Sequence, residues 1–356
     1  MKIGIDLRPL LHGKASGVAV YTHSLVSEMI KHKEHEFVLF LSGSKSEYSH
    51  IMDDFSGANI KKVFWKVPNR ILNFGFWFLN YPKVDLGLDA MFLPDMRPVR
   101  LPKGTHKIVT CHDLSFLRFS RFFSWKSRFW YKLNSPKNYF RTADKVISVS
   151  KFTKKELERL CGVASEVVYE GASISDESDT AAVSEKYNLP ARYLLSLSTL
   201  EPRKNLKRVI EAFQKAKVDC DLVVAGDFDT SVFSKLKLPS SDRVHLIGEI
   251  AETEKKALYG MSDGLVYVSL YEGFGLPPLE AMWCGKPVLT SKDSPMEEVC
   301  GKYGVYVDPY DVADISAGIR ELITADKDPK EIAEHARKFS WRDAAKRTLE
   351  IIESSL

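Results

Sequence analysis

The sequence predicts an α/β protein with parallel sheets, divided into two domains. Short apolar segments alternate with stretches of helical periodicity along most of the chain, and such alternation is typical of parallel sheets covered by helices. A length of 356 residues is sufficient for two separate cores. Residues 172–190 are rich in Ser, Asp and Ala, have little to bury, and are predicted to be a linker. The predicted domains are therefore residues 1–171 and 191–335, followed by a terminal segment, 336–356.

The composition argues against several other classes of protein. Hydrophobic residues make up 44% and charged residues 28% of the chain, as in ordinary globular proteins. The net charge of +4 is too small to imply a nucleic-acid partner. The five cysteines are scattered without a CxxC pair, which fits thiols in a reducing compartment better than a disulfide framework. For His32 and His35, in KHKEHE, a solvated turn is favoured over a metal site.

No targeting or membrane-spanning segment is predicted. The apolar character of Met1–Leu11 is interrupted by Asp6 and Arg8, unlike that of a secretory signal. The longest aromatic-rich run, Ile71–Tyr81, is too short to span a bilayer. The protein is therefore predicted to be cytoplasmic, and either soluble or peripheral to a membrane.

The first domain is predicted to begin with a strand, a loop and a helix. Its predicted strands are Lys2–Asp6, Phe37–Leu41, Ile60–Val67, Ala90–Leu93, Ile108–Leu114 and Lys145–Ser150. The loop covers Arg8–Ser16, and Gly17 opens a helical stretch with apolar residues at helical spacing. Without a side chain, Gly17 would let the backbone approach a bound phosphate, although a plain flexible loop fits equally well.

A polar pair, His112-Asp113, lies at the C-terminal end of the predicted strand Ile108–Leu114. Open α/β sheets bind ligands at the carboxyl ends of their strands, so His112 is a candidate site residue. The alternative is that Asp113 caps a helix and His112 is merely exposed.

Residues 116–145 interleave many Lys and Arg residues with aromatic residues, and Asp144 is their only carboxylate. One hypothesis is a surface that rests on anionic lipid and receives a lipid-linked or polyanionic acceptor. The alternative is ordinary helices with aromatic residues in the core and a solvated basic face. Single-stranded nucleic acid is disfavoured as a partner, because no nucleic-acid motif accompanies the patch.

The second domain opens with an apolar strand, Tyr193–Ser198, that runs into a basic turn. Arg203 and Lys204 lie on this turn, just before a helix predicted over Leu206–Lys217. Two cations there would neutralise a diphosphate that gains charge as it leaves, whereas the alternative is an exposed basic turn. Further strands are predicted at Leu222–Gly226, Val244–Ile247, Leu265–Ser269, Lys286–Thr290 and Gly304–Val307, and helices at Val312–Thr324 and Pro329–Ser355.

The stretch Tyr271–Gly285, YEGFGLPPLEAMWCG, reads as a glycine-bearing turn and a helix N-terminus. Pro277 and Pro278 suit the first turn of a helix, where a missing N–H costs nothing. The free amides of such a terminus bind anions, and two carboxylates, Glu272 and Glu280, flank it. Amides for phosphate and carboxylates for hydroxyls suit a nucleotide sugar. The alternative is a solvated Glu272 and a Glu280 that interacts with the helix dipole.

This string resembles the E-G-F-G-x-P-x-x-E-A-M signature of retaining GT-B glycosyltransferases of family 4, also called glycosyl transferases group 1. The resemblance covers nearly the entire chain, with several motifs in the expected order. It implies the GT-B fold, in which two Rossmann-like domains face each other across a cleft. The nucleotide would rest mainly on the C-terminal domain and the acceptor on the N-terminal domain. The last helix, within 336–356, would cross back onto the first domain.

In this setting the carboxylates would hold hydroxyl groups of the donor. Glu280 would accept hydrogen bonds from the ribose, and Glu272 from the transferred sugar. The resemblance also implies that His112 contacts the transferred sugar and that the turn at Ile250 meets the base.

The amides of Phe274, Gly275 and Leu276, together with Arg203 and Lys204, would hold the diphosphate. Fixed cations and amides would thereby replace a metal ion, so neither a cofactor nor an essential divalent ion is expected. The resemblance implies front-face transfer with retention, in which the leaving phosphate helps to deprotonate the acceptor.

The L-E-P-R-K-N form of the basic turn resembles that of mannosyltransferases of polysaccharide assembly, which favours GDP-mannose as donor over a UDP-sugar. Many family members place their arginine where this chain has Thr199, whereas this subgroup has it just before the lysine, as Arg203 is here. The predicted partners are a nucleotide sugar and a glycan or lipid-linked acceptor, with membrane contact through 116–145. The alternatives are a GT-B sugar epimerase or phosphorylase, or a non-catalytic, membrane-docked assembly partner.

Overall fold

The structure, a computed structural model, describes residues 1–12, 16–43, 51, 53–172, 174, 179–226 and 238–356. The chain forms two compact units. Unit 1 comprises Met1–Leu114, Lys126–Gly171 and Trp341–Leu356, and unit 2 comprises Ser115–Trp125 and Ala172–Ser340. Part of the predicted linker, residues 173 and 175–178, lies outside the described residues.

The sheet of unit 1 is parallel, as predicted. Its strand order is β3-β2-β1-β4-β5-β6-β7, and the strands are β1 (Lys2–Asp6), β2 (Glu36–Ser42), β3 (Ile60–Trp65), β4 (Ala90–Leu93), β5 (His106–Cys111), β6 (Lys145–Ser148) and β7 (Glu166–Val167). Ile5 of β1 pairs with Leu39 of β2 and with Phe92 of β4. The central strands are almost continuously apolar because both of their faces are buried. Edge strand β3 exposes Lys61 and Lys62, whose charges disfavour pairing with another sheet.

The sheet of unit 2 is also parallel, with the order β10-β9-β8-β11-β12-β13. Its strands are β8 (Tyr193–Leu197), β9 (Asp221–Ala225), β10 (Val244–Gly248), β11 (Gly264–Tyr267), β12 (Val288–Ser291) and β13 (Gly304–Val307). The core of this unit lies between the sheet and its helices, where Leu194, Val224, Val266 and Leu289 are inaccessible to solvent or nearly so. The two sheets confirm the predicted α/β class.

The helices are numbered in chain order across both units. They are α1 (Gly17–Met29), α2 (Asn69–Phe74), α3 (Ser115–Arg118), α4 (Trp125–Asn134), α5 (Pro136–Arg141), α6 (Lys151–Cys161), α7 (Thr180–Tyr187), α8 (Leu206–Ala216), α9 (Lys255–Met261), α10 (Leu276–Trp283), α11 (Met296–Cys300), α12 (Val312–Thr324), α13 (Pro329–Ala336) and α14 (Trp341–Glu353). Side-chain oxygens of Ser16, Ser150, Asp179, Asp311 and Asp328 accept amide hydrogen bonds at the starts of five of them. Such caps satisfy amides that have no partner inside the helix and explain why these helices begin where they do.

Each sheet reverses its strand order once, next to its first strand. The reversal lies between β1 and β4 in unit 1 and between β8 and β11 in unit 2. The segments that leave these two strands run over opposite faces of the sheet and leave a crevice at its carboxyl edge, where open α/β sheets bind ligands. Side chains that follow β1, β4, β8 and β11 are therefore the first to inspect.

Three local predictions differ from the structure. Arg8–His12, predicted as part of a loop, forms a 3₁₀ helix. Thr180–Tyr187, within the predicted linker, forms helix α7, because Asp179 caps it and Val183 buries an apolar side chain. The predicted helix Pro329–Ser355 is two helices, α13 and α14, and they belong to different units.

Other sequence expectations concern cysteines and membrane spans. All five cysteines are free, and four of them are buried. Within the described part of the chain, no helix has the length and apolar character needed to cross a membrane.

Candidate active site

The strand reversal of unit 2 brings together three of the predicted site residues. Arg203 and Lys204 end a 3₁₀ turn, Pro202–Lys204, that follows β8, and Glu272 follows β11. Because β8 and β11 are hydrogen-bonded neighbours, the side chains beyond their carboxyl ends meet although they lie far apart in sequence. The backbone also links the two segments, since the Leu270 amide donates to the Arg203 carbonyl over 2.7 Å.

The Glu272 carboxylate is held by both cations. Its Oε1 lies 2.7 Å from Lys204 Nζ, and its Oε2 lies 2.9 Å from an Arg203 guanidinium nitrogen. The Tyr267 hydroxyl accepts from Lys204 Nζ over 2.6 Å and donates to Glu272 over 3.0 Å. Arg203 Nε also donates to Glu201 over 2.5 Å. The side chains of Lys204 and Arg203 remain 12% and 17% exposed, so the cluster is nearly buried but still reachable.

Burial and charge act in opposite directions on this cluster. Burial alone would raise the pKa of the Glu272 carboxyl, but the charges of Lys204 and Arg203 outweigh it and lower that pKa to about 2. Burial would lower the pKa of the Lys204 ammonium, but the Glu272 charge outweighs it and raises that pKa. Both groups are therefore ionised at neutral pH. Their low exposure differs from the exposed basic turn that was the alternative interpretation.

Asn205 fixes the conformation of the basic turn. Its backbone has a left-handed φ of 61°, which asparagine tolerates better than most residues. Its buried side chain donates to the carbonyls of Val268 and Pro309 over 3.1 and 2.7 Å. Asn205 and Tyr267 were not predicted as site residues. The asparagine directly after the cations was a usable signal, whereas nothing in the sequence marked Tyr267.

The turn before α10 depends on Gly275. Its φ of 115° is accessible to glycine and strained for residues with a Cβ, and a Cβ here would also approach Met296 Cγ to 3.0 Å. No side chain caps α10, and a proline occupies its first turn, as predicted. Phe274 is buried and packs against Phe339, with 6.0 Å between ring centroids. Leu276, the first residue of the helix, is half-buried.

Glu280 lies within α10 and is buried rather than solvated. Its Oε1 lies 3.0 Å from Lys255 Nζ, and its Oε2 accepts from the Tyr259 hydroxyl over 2.8 Å. Each carboxylate oxygen can accept more than one hydrogen bond, so both retain capacity for a ligand hydroxyl. Ile250 follows β10 and is half-buried. The roles predicted for Glu280 and Ile250 toward a nucleotide remain predictions.

His112 lies in unit 1, directly after β5, and is largely buried. Its Nε2 is 2.7 Å from the Pro94 carbonyl and its Nδ1 is 3.3 Å from Glu170 Oε1, while Tyr21 packs edge-on against the ring at 4.5 Å. Burial would lower the pKa of His112, but the hydrogen bond and charge of Glu170 outweigh it and raise that pKa. Since both partners are acceptors, the imidazolium form suits this environment. Glu170 was not predicted, although it also follows a strand of the same sheet.

Gly17 is the first residue of α1 and is exposed. The Ser16 hydroxyl accepts from the Ala19 amide over 3.2 Å and caps the helix. The predicted approach of Gly17 to a phosphate remains a prediction, and residues 13–15 of the preceding loop lie outside the described residues.

The aromatic and basic stretch 116–145 is divided between the two units. Within unit 2, the Phe119 ring lies 5.6 Å from that of Tyr271, and the Arg118 guanidinium lies 5.6 Å from the same ring. Within unit 1, Tyr139 and Phe140 are buried core residues, whereas Phe129 is 56% exposed. The stretch therefore has core aromatic residues in α5 and exposed ones in α4, and its contact with a membrane remains a prediction.

The described residues contain no group of three or more His, Cys, Asp or Glu side chains arranged to hold a metal ion.

Comparisons with known proteins identify the family. The family described as Glycosyl transferases group 1 matches residues 179–339, and Glycosyltransferase Family 4 matches residues 15–176. The chain is 30% identical over 273 residues to O-antigen chain mannosyltransferase B of Escherichia coli, a match that covers 71% of this chain and 70% of that relative.

Two solved structures show the same fold at low identity. Sucrose-phosphate synthase from Thermosynechococcus elongatus has a TM-score of 0.73 at 18% identity, over 99% of this chain and 98% of that chain. Anabaena HepE in complex with UDP-glucose has a TM-score of 0.71 at 16% identity, over 99% of this chain and 100% of that chain. The chain therefore belongs to the group 1, family 4 glycosyltransferases, has the GT-B fold, and is a hexosyltransferase.

Proposed function

We propose that this protein transfers mannose from GDP-mannose, with retention, to a glycan or lipid-linked acceptor in polysaccharide assembly. The observation that carries the proposal is the cluster of Arg203, Lys204 and Glu272 at the strand reversal of unit 2. It offers two cations for a diphosphate and a carboxylate for sugar hydroxyls in one place. The similarity to an O-antigen chain mannosyltransferase supports mannose as the sugar.

Without a donor, Glu272 forms ion pairs with both cations, and Glu201 forms a second ion pair with Arg203. A bound diphosphate would take over Arg203 and Lys204 and leave Glu272 to accept from the sugar. Charge then develops on the diphosphate as the bond from the anomeric carbon to its phosphate oxygen breaks, and fixed cations stabilise that charge. The acceptor oxygen bonds to the same face of the anomeric carbon, and its proton passes to the departing phosphate. His112 would orient the sugar, and Glu280 the ribose.

The donor is tested by a thermal-shift screen with GDP-mannose, UDP-glucose and ADP-glucose. We expect GDP-mannose to raise the melting temperature most, because a ligand that binds the folded state stabilises it according to its affinity. A UDP-sugar is the second candidate, which the fold shared with UDP-glucose-bound HepE favours. A larger rise in melting temperature with UDP-glucose than with GDP-mannose would make a UDP-sugar the proposed donor. The proposed transfer reaction would be unchanged.

The reaction type is tested by product analysis. A transferase consumes donor in proportion to acceptor and releases nucleoside diphosphate, and NMR of the anomeric centre shows whether configuration is retained. An epimerase would interconvert free nucleotide sugars without acceptor, and a phosphorylase would require inorganic phosphate. A protein that binds nucleotide but turns nothing over with any acceptor would instead be a non-catalytic assembly partner.

Membrane contact, predicted through 116–145, is proposed for an exposed aromatic surface of unit 1. Phe74 and Phe78 are 54% and 59% exposed, and their rings lie 4.9 Å apart. A hydrogen bond of 3.2 Å from Trp77 to Asn134 joins this segment to α4, where Phe129 is exposed. Aromatic residues beside exposed cations suit the interface of an anionic bilayer. We propose that the protein is cytoplasmic and that this surface contacts the inner face of the membrane.

Co-sedimentation with phosphatidylglycerol vesicles at low salt tests this contact. We expect wild type to sediment and a Phe74→Ser/Phe78→Ser variant to stay in solution. The matched control is Leu246→Ser, which removes an exposed apolar side chain from unit 2. Absence of wild-type binding would remove the membrane proposal without affecting the transferase proposal.

A further inference from the structure

A cavity of about 290 Å³ lies in unit 2 beside the basic turn. Its walls come from the segment Ser115–Trp125, the turn after β8, the first turn of α8 and the loop after β13. Its lining residues include Arg121, Phe122, Lys207, Arg208 and Tyr310. Arg203 and Lys204 do not line this cavity, so it is separate from the cluster around Glu272.

The cavity is lined by three cations and, among its described lining residues, by no carboxylate. Arg208 is oriented by a hydrogen bond of 2.9 Å to Asn205 Oδ1 and lies 5.7 Å from the Tyr310 ring centroid. Arg121 lies 5.3 Å from the Phe122 ring centroid. Within the described part of the chain, no carboxylate lies at ion-pair distance from either arginine. Two guanidinium groups are thus held on aromatic rings with donors available for a ligand.

Lys207 adds a third positive charge. Its nearest carboxylate, Glu211, is 3.9 Å away in an exposed pair, and such pairs contribute little. The first turn of α8 faces the same cavity through Leu206, Lys207 and Arg208. No side chain caps this eleven-residue helix, so the partial positive charge of its N-terminus adds to that of the cations.

We propose that this cavity binds a phosphate group of the acceptor, such as the diphosphate of a lipid-linked carrier. Three cations without a carboxylate select an anion, and guanidinium groups match the oxygens of a phosphate geometrically. The Phe122 and Tyr310 rings provide an apolar wall for the part of the acceptor next to the phosphate. The cavity thereby gives unit 2 a second anion site beside the donor diphosphate site. Two of its lining residues, Arg121 and Phe122, come from residues 1–171, the part of the sequence to which the resemblance assigns the acceptor. This inference rests on the proposed transferase function, because only that function requires an acceptor.

The test compares a cavity variant, Arg121→Gln/Lys207→Gln, with a control variant, Lys215→Gln/Lys330→Gln. The control removes two exposed lysines of unit 2 that do not line the cavity. Arg203 and Lys204 are unchanged in both variants. Binding of geranyl diphosphate is measured by calorimetry on protein saturated with GDP, and again with UDP, so that the donor site is occupied. Melting temperatures establish that both variants are folded.

We expect wild type and the control variant to bind geranyl diphosphate equally. The cavity variant should bind it about a hundredfold more weakly, because removing each of two charge-assisted hydrogen bonds weakens binding by about tenfold. Equal binding by all three proteins would overturn the proposal.

A second arm separates an acceptor phosphate from a membrane headgroup. Sedimentation with phosphatidylglycerol vesicles should be the same for the cavity and control variants. If the cavity variant loses vesicle binding together with geranyl diphosphate binding, the anion is a lipid headgroup and the acceptor assignment is wrong.

The outcome can be distinguished from failure of the proposed function. The difference in geranyl diphosphate affinity between the two variants without nucleotide reports on the cavity, because the donor cations are the same in both. If wild type bound neither GDP nor UDP, the transferase proposal would be contradicted. The comparison of the two variants with geranyl diphosphate would remain valid.

Discussion

The strand reversals of the two sheets occupy equivalent positions, but their side chains are used differently. In unit 1, Asp6 is the last residue of β1 and Arg8 follows the strand, and both side chains are only 1% exposed. In unit 2, Arg203 and Lys204 follow β8 and remain partly accessible beside Glu272. The same topology therefore carries a closed ion pair in one unit and an open cluster in the other.

The ion pair of unit 1 is satisfied internally. Arg8 donates to Asp6 through Nε over 2.9 Å and through a terminal nitrogen over 2.6 Å, and that nitrogen also donates to the Pro98 carbonyl over 3.0 Å. The rings of Phe40 and Phe76 lie within 6 Å of the guanidinium. Few N–H donors of Arg8 remain for a ligand, so we assign this ion pair a structural role at the carboxyl edge of the sheet.

The strand order brings polar side chains together at the carboxyl edge of each sheet. The accessibility of the cations then decides whether they stabilise the fold or bind a ligand. A cation enclosed by protein partners contributes to stability, whereas one that a ligand can reach contributes to binding. The following experiments test that division.

Arg8→Met should destabilise the protein without acting on the chemistry. Removing one partner of a buried pair leaves Asp6 charged and uncompensated, at a cost of ~3–5 kcal/mol in the free energy of unfolding. Urea denaturation measures the change. Arg192→Met is the control, because its pair with Asp263 is exposed and should contribute under ~1 kcal/mol. Equal losses in the free energy of unfolding for the two substitutions would show that burial does not increase the contribution of an ion pair to stability.

Lys204→Ala should impair catalysis much more than stability, the reverse of the effect expected for Arg8→Met. We expect kcat/KM to fall by a factor on the order of a hundred or more, as for loss of a charge contact made in the transition state. The melting temperature should change much less than in Arg8→Met. Lys215→Ala, on the exposed face of α8, is the control. Near-normal turnover by Lys204→Ala would contradict the assigned role.

Glu280→Ala should weaken binding of the nucleoside diphosphate by about tenfold, as expected for loss of charge-assisted hydrogen bonds. Calorimetry with GDP and UDP measures the affinity, and Glu211→Ala serves as a control on an exposed carboxylate of the same unit. Unchanged affinity would show that Glu280 serves only Lys255 and Tyr259.

The contribution of Glu272 to the free energy of unfolding should depend on pH and should decrease on acidification. The pKa of this carboxyl is about 2 in the folded protein, against an ordinary value of 4.5. A carboxyl whose pKa is lower in the folded than in the unfolded state contributes fully to stability above its unfolded pKa. For Glu272 that contribution is lost as the pH falls from 4.5 through about 2. The difference in urea midpoint between wild type and Glu272→Gln should therefore shrink between about pH 5 and about pH 3. A difference that grows on acidification would show that the cations do not stabilise the carboxylate.

Much of the fold could be predicted because its elements are encoded locally. Helix α12 begins and ends at the predicted residues, Val312 and Thr324, since a cap and a helical apolar pattern lie within one short segment. The string Tyr271–Gly285 likewise carries a turn, two prolines and a helix start in consecutive positions. By contrast, the break between α13 and α14 within the predicted helix Pro329–Ser355 was not predicted, because helical periodicity continues through both segments.

The amino-acid order was sufficient to predict the α/β class, the basic turn, the glutamate-flanked helix start and the family. Each of these depends on residue types at short spacing along the chain. The tertiary structure alone decided that Lys204 and Glu272, which are 68 residues apart, form an ion pair, that Glu170 holds His112, and that Arg121 and Arg208 share a cavity. Apolar periodicity specifies which face of an element is buried, but the order of strands in the sheet brings distant polar side chains together.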